Sequence, residues 1–282
     1  MTLSTTVQKE YASPRGNVAY WITRSEKPDA PCIFFLHGLT ADHTMFDQQV
    51  PYFADRYTVI AWDAPAHALS RPYHDFSYQN CAEDMRGILE QEQIDRAVFA
   101  GQSMGGYLVQ SFLLRYPEMA LAFVAIDTCP YGLRYYSKSD LFWLSKAGAI
   151  SQWMPYGYYV NTIIKSVALT ERGQDNMRKA ISFYGKDEFS ALTKAGLNGF
   201  ALENRDLNIT CPVLILVGEK DRAGKVLAYS KAWHEATGYP MQIIENASHN
   251  SNVDNPDAVN AAIDAFLTAA LSSDQVSFGG IS

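Results

Sequence analysis

The chain has 282 residues, 48% of them apolar and 19% charged, a balance that supports one large packed domain, or one domain with a sizeable insertion, and excludes a disordered chain. Its formal net charge of −7 at pH 7 repels phosphate backbones and anionic bilayer surfaces, so neither nucleic acid nor a membrane is an expected partner. The four cysteines, Cys32, Cys81, Cys129 and Cys211, form no CxxC pair and read as buried free thiols.

The opening residues lack a basic region followed by an apolar run, and no apolar stretch reaches the roughly 20 residues that span a bilayer, so a soluble, cytoplasmic protein is expected. In chain order, Val18–Thr23 alternates weakly and predicts an early strand. Cys32–Leu36 (CIFFL) is short and wholly apolar, bounded by Pro31 and Gly38, as in a strand buried on both faces. Tyr57–Trp62 (YTVIAW) predicts another. Tyr78–Gln91 places Cys81, Met85, Ile88 and Leu89 near a helical period. The strand Ala97–Ala100 leads into a helix over Met104–Arg115, which stops before Pro117, and Leu121–Ile126 follows as a strand. Val213–Val217 and the weaker Met241–Ile244 complete the strands. Asn255–Leu271, with Pro256 near its first turn and Val259, Ile263 and Phe266 repeating, predicts the last helix. The tail from Ser272 is expected to fray. Strand–helix alternation of this kind implies a mainly parallel α/β sheet with helices on both faces.

That rhythm breaks over residues 130–208, where no buried-strand run occurs and thirteen aromatics crowd together: Tyr131, Tyr135, Tyr136, Phe142, Trp143, Trp153, Tyr156, Tyr158, Tyr159, Phe183, Tyr184, Phe189 and Phe200. The stretch is expected to be a mostly helical insertion dividing a core of residues 1–129 and 209–282. Its aromatics either line an apolar pocket or pack the insertion onto the sheet.

The chemistry centres on Gly101-Gln102-Ser103-Met104-Gly105-Gly106, between a predicted strand and a predicted helix. A serine there sits on a sharp turn, small residues two before and two after it let the backbone crowd, and the helix N-terminus favours a developing oxyanion. The motif alone is common by chance, and its context gives it meaning. A serine needs a base. His249 is the candidate, in the polar loop after the last strand, with Asp221 upstream after Val213–Val217 to orient it. Loops at one edge of a parallel sheet can meet although distant in sequence. Asp127, also at a strand end, is a rival acid. His37, His43, His67, His74 and His234 read as packed or solvated histidines. Leu39, after His37-Gly38, and Met104 are candidates for the two backbone amides of an oxyanion hole.

These residues resemble the α/β-hydrolase superfamily, in particular its lidded esterases and carbon–carbon hydrolases. The likeness rests on FFLHGLT at Phe34–Thr40, WDAPAHALS at Trp62–Ser70, GQSMGG at Gly101–Gly106, VGEKD at Val217–Asp221 and ASHN at Ala247–Asn250. It implies an eight-stranded sheet, a triad of Ser103, Asp221 and His249, oxyanion amides from Leu39 and Met104, a cap formed by residues 130–208, and no cofactor or metal. One departure stands out: Ala66 and Ala68 occupy positions where the family usually has glycine, so that turn is expected to differ in shape. The implied activity is hydrolysis of a small hydrophobic ester through an acyl-enzyme, with a small hydrophobic molecule as the binding partner. Carbon–carbon, lactone or amide hydrolysis, cofactor-free perhydrolysis and ligand reception on the same scaffold are alternatives.

Overall fold

The wholly apolar runs form strands without exposed faces. In the computed structural model, which describes residues 5–139 and 155–278, β3 (Cys32–Leu36), β4 (Thr58–Trp62), β5 (Ala97–Gln102) and β7 (Val213–Gly218) are buried at every residue. With β1 (Thr6–Ser13), β2 (Gly16–Thr23), β6 (Ala120–Ile126) and β8 (Met241–Ile244) they make an eight-stranded sheet in the order β1-β2-β4-β3-β5-β6-β7-β8. The β1–β2 and β2–β4 pairs are antiparallel, and every pair from β4 to β8 is parallel. Polar β1 is an edge strand, which composition alone does not reveal: its residues alternate exposed and half-buried, and charged side chains blunt the open edge.

Alternate residues of each central strand feed two apolar layers. Phe34, Trp62, Phe99 and Ile215 pack on one face with α2 (Tyr78–Gln91) and α3 (Met104–Leu113). Ile33, Phe35, Val98 and Leu216 pack on the other with α1 (Val50–Phe53) and Ile263 and Leu267 of the last helix. Cys32, Cys81 and Cys129 are buried free thiols, and Cys211 is half-buried. The expected helix over Met104–Arg115 ends at Leu113, and a 3-10 turn at Pro117–Met119 follows.

Between β6 and β7 lie α4 (Tyr156–Val167), α5 (Glu171–Ile181) and α6 (Lys186–Glu203). This matches the expected helical character where residues are described; Phe142, Trp143 and Trp153 fall outside the described residues. The chain then adds α7 (Val226–Thr237), a short α8 (Ser251–Asp254) and α9 (Pro256–Phe278), whose backbone stays helical beyond Ser272 where fraying was expected. Among the described residues no helix is long and apolar enough to cross a membrane.

The strand order places the site. From the adjacent central strands β3 and β5, the chain goes on to β4 on one side and β6 on the other. The loops leaving these two strands therefore part, and a crevice opens at their carboxyl ends, where open α/β sheets bind ligands. Gly38 and Ser103 lie at those ends.

Candidate active site

Ser103 joins β5 to α3 with φ 50 and ψ −116, a conformation costly for a residue with a Cβ. The turn is that tight because α3 lies close on β3: a Cβ on Gly105 would stand 2.0 Å from the Leu36 carbonyl oxygen, so only glycine fits. Both backbone groups of the serine are held, its N–H by Ile126 O at 2.9 Å and its carbonyl by Thr128 Oγ1 at 2.8 Å.

The other two loops are pressed together in the same way. A Cβ on Gly218, the last residue of β7, would meet Ser248 O at 2.1 Å. Lys220 N–H donates to Ala247 O at 2.9 Å, and Asp221 N–H closes a turn onto Gly218 O at 3.1 Å. These contacts set Asp221 beside His249. The His249 Nδ1–H donates to Asp221 Oδ2 at 2.9 Å, and Nε2 accepts from the Ser103 hydroxyl at 2.8 Å. A carboxylate only accepts, which fixes the tautomer. The Asp221 side chain has no exposed surface and that of His249 only 9%. Burial pulls the imidazole pKa down, but the charge and hydrogen bond of Asp221, with the charge of Asp127, outweigh it and hold the pKa above the usual histidine value.

Gly38 packs against the serine, since a Cβ there would lie 3.2 Å from Ser103 Cβ. The next residue, Leu39, lines the cavity above Ser103. Among the described residues, the amides of Leu39 and Met104 make no hydrogen bond to a protein acceptor; Leu39 lines the cavity, and Met104 is buried beneath it at the start of α3. The rival acid Asp127 does not reach the base; both its oxygens take backbone amides, from Gly218 at 2.7 Å and Ser251 at 2.9 Å.

The remaining histidines do other work. His37 Nδ1–H donates to Gly38 O and its Nε2 accepts from Ala64 N–H, tying the loop after β3 to that after β4. His67 is buried against His37, and burial depresses its pKa to about 3. His43 pairs with Asp63 and stacks on Trp21, His234 donates to Tyr239 O, and the His74 amide bonds to Arg15 O. Sequence reasoning missed three supporting side chains. Gln102 donates to His249 O at 2.6 Å, and its place inside the serine motif was the available signal. Thr128 holds the serine carbonyl. Asp254 accepts from Ser248 N–H and from the amides of Leu169 and Thr170, joining the histidine loop to the α4–α5 turn.

The cavity over Ser103 has a volume of about 160 Å³. Leu39, Met45, Ile163, Val167, Met177 and Phe189 supply its apolar wall, and its described lining includes no lysine or arginine. Of the two alternatives for the insertion's aromatics, the described residues favour packing: Phe189 is the only Phe, Tyr or Trp in the described lining. Tyr131, Tyr136 and Phe200 pack together instead, two of them on Tyr107. Tyr156 and Tyr159 back Phe189, Tyr184 meets His67, and Tyr158 and Phe183 are exposed.

Residues 33–262 match the model of the alpha/beta hydrolase family. The 2-(acetamidomethylene)succinate hydrolase of Mesorhizobium japonicum is 26% identical over 255 residues, 86% of this chain and 90% of that one. The 3-oxoadipate enol-lactonase 2 of Acinetobacter baylyi is 26% identical over 254 residues, covering 85% and 89%. Among solved structures, Est816, described as an N-acyl homoserine lactone degrading enzyme, superposes with a TM-score of 0.75 at 21% identity over 92% of this chain and all of that one.

Proposed function

The chain belongs to the alpha/beta hydrolase family, and from that premise we propose that it is a serine hydrolase cleaving small, uncharged, hydrophobic carboxylic esters through an acyl-enzyme on Ser103. The observation that carries this reading is the unbroken hydrogen-bonded line from Asp221 Oδ2 through both nitrogens of His249 to Ser103 Oγ. Along it, Ser103 Oγ attacks the ester carbonyl carbon as His249 Nε2 takes its proton. The carbonyl π pair moves onto oxygen, where the Leu39 and Met104 amides stabilise it. The tetrahedral adduct collapses, the C–O bond to the alcohol breaks, and His249 returns the proton to the departing oxygen. Water, deprotonated by His249, then attacks the acyl carbon; the bond from that carbon to Ser103 Oγ breaks, His249 returns the proton to Oγ, and the acid leaves.

The cavity supports the substrate class. Among the described residues, a wall of aliphatic side chains and one phenyl ring gains from burying methylenes and gives a charged group no lysine or arginine counter-ion. The succinate and oxoadipate of the two relatives' names are carboxylates, so a neutral ester suits this chain better than either. In this reading residues 130–208 act as a cap over the serine, contributing Ile163, Val167, Met177 and Phe189 to the wall. Lactone hydrolysis is the second reading, favoured by the enol-lactonase relative; the steps are identical except that the alcohol stays tethered to the acid. A p-nitrophenyl ester series tests the proposal. Acetate and butyrate esters should turn over with a clear optimum at short chains, because a cavity of about 160 Å³ cannot enclose a long acyl group. Failure to turn over any ester, with lactones hydrolysed instead, would select the second reading.

A further inference from the structure

Strand β6 ends at Ile126 and runs into Asp127-Thr128, a segment the proposed chemistry does not use, yet all three loops of the triad converge on it. The serine turn is held from both sides: Ser103 N–H donates to Ile126 O at 2.9 Å, and Thr128 Oγ1 donates to Ser103 O at 2.8 Å. The acid loop is held by Asp127 Oδ1, which accepts from Gly218 N–H at 2.7 Å, three residues before Asp221. The base loop is held by Asp127 Oδ2, which accepts from Ser251 N–H at 2.9 Å, two residues after His249. Asp127 itself is fully buried with a positive φ of 45, and its N–H donates to Leu216 O at 2.8 Å. Thr128 is 1% exposed, and its carbonyl accepts from Ser230 Oγ.

A second buried carboxylate beside Asp221 is an expensive feature. Burial and the Asp221 charge push the pKa of Asp127 up, and an apolar residue would avoid that cost. What an apolar residue cannot do is bridge two amides on separate loops. We propose that Asp127 and Thr128 are positioning residues for the triad, Asp127 setting the distance between the acid and base loops and Thr128 fixing the serine turn against them. The assignment rests on the serine-hydrolase reading and extends it to residues that touch no substrate.

The experiment compares Asp127→Asn, Thr128→Val and Thr128→Ser with Asp221→Asn in the full chain, using p-nitrophenyl butyrate and a fluorophosphonate probe. Asparagine keeps one acceptor but sets its NH2 against an amide donor. It should lower kcat by about 10- to 100-fold with KM nearly unchanged, as misplaced reacting groups do. His249 faces the charges of Asp221 and Asp127, so removing the Asp127 charge should also move the acid limb of the kcat/KM profile to lower pH over the range where Asp127 is ionised, while the loss in kcat at unchanged KM reports the positioning. Thr128→Val keeps shape but loses the bond to Ser103 O and should lower kcat by about 10-fold, while Thr128→Ser restores it. Thr128→Val carries the test if Asp127→Asn does not fold. Wild-type kcat in both Asp127→Asn and Thr128→Val, with an unmoved acid limb, would overturn this assignment alone. So would an inactive Asp127→Asn beside an active Asp221→Asn, which would make Asp127 the triad acid. A wild type that neither turns over esters nor takes up the probe would overturn the hydrolase reading and this assignment with it.

Discussion

Around Ser103 the backbone is repeatedly held where side chains are disfavoured. Thr40, Ala66, Ala68, Ser103, Asp127 and Asn246 all have positive φ. Such strain persists only where surrounding contacts over-determine it. Ala66 and Ala68 show how. The sequence suggested that alanine in place of the family's glycine would reshape this turn, but Ala66 at φ 64 and Ala68 at φ 35 keep the left-handed conformation. Ala66 N–H is held by Ser70 O, Ala68 N–H by the Tyr184 hydroxyl and Leu69 N–H by Asp63 Oδ2. A left-handed alanine costs about 1–2 kcal/mol, against about 0.5–1 kcal/mol for the extra unfolded-state freedom of glycine. Ala66→Gly should therefore stabilise the protein by about 0.5–1 kcal/mol in denaturant unfolding; a loss of that size would show that the turn is not strained. At this scale Ser103 and His249 were legible because each follows a readable strand. The sequence favoured Asp221, upstream of His249 after the neighbouring strand, but Asp127 stayed a rival because it too follows a buried strand. What distinguishes them is the approach of β7 to the histidine loop, a contact between residues some thirty positions apart that no local pattern encodes.

The elements carry the same constraints over longer distances. The buried strands were readable because a sheet covered on both faces leaves no polar alternation, and α2 was readable from its period. The edge strand β1 has too little apolar surface to signal itself, and the aromatics of the insertion could not be assigned to pocket or packing from composition. Tertiary partners decide it for those described: most of them pack on one another and on Tyr107 or Phe189. The element contact that bears on the acid loop is Gly218 at the end of β7, where a Cβ would stand 2.1 Å from Ser248 O. Gly218→Ala should drive the acid loop from the histidine loop, lowering thermal stability by about 1–3 kcal/mol and kcat by about 100-fold. Calorimetry and ester kinetics on the same sample would check it, and an unchanged kcat would mean that the Asp221–His249 distance does not depend on this contact.

At the scale of the molecule, a parallel sheet gathers three distant residues because the loops after β5, β7 and β8 leave the same edge. The insertion between β6 and β7 then supplies much of the apolar wall over them, anchored to the histidine loop through Asp254. In the proposed function Ser103 is a nucleophile activated by a neutral His249. The most direct measurement is the rate of fluorophosphonate attachment as a function of pH, with the modified residue located by peptide mass. The label should fall on Ser103 and be absent from Ser103→Ala. Its rate should rise with pH as His249 loses its proton, through a midpoint above the ordinary histidine value of about 6.5, because Asp221 and Asp127 hold that pKa up. A label on another residue, or a rate on Ser103 that stays flat from about pH 5 to 8, would contradict the account.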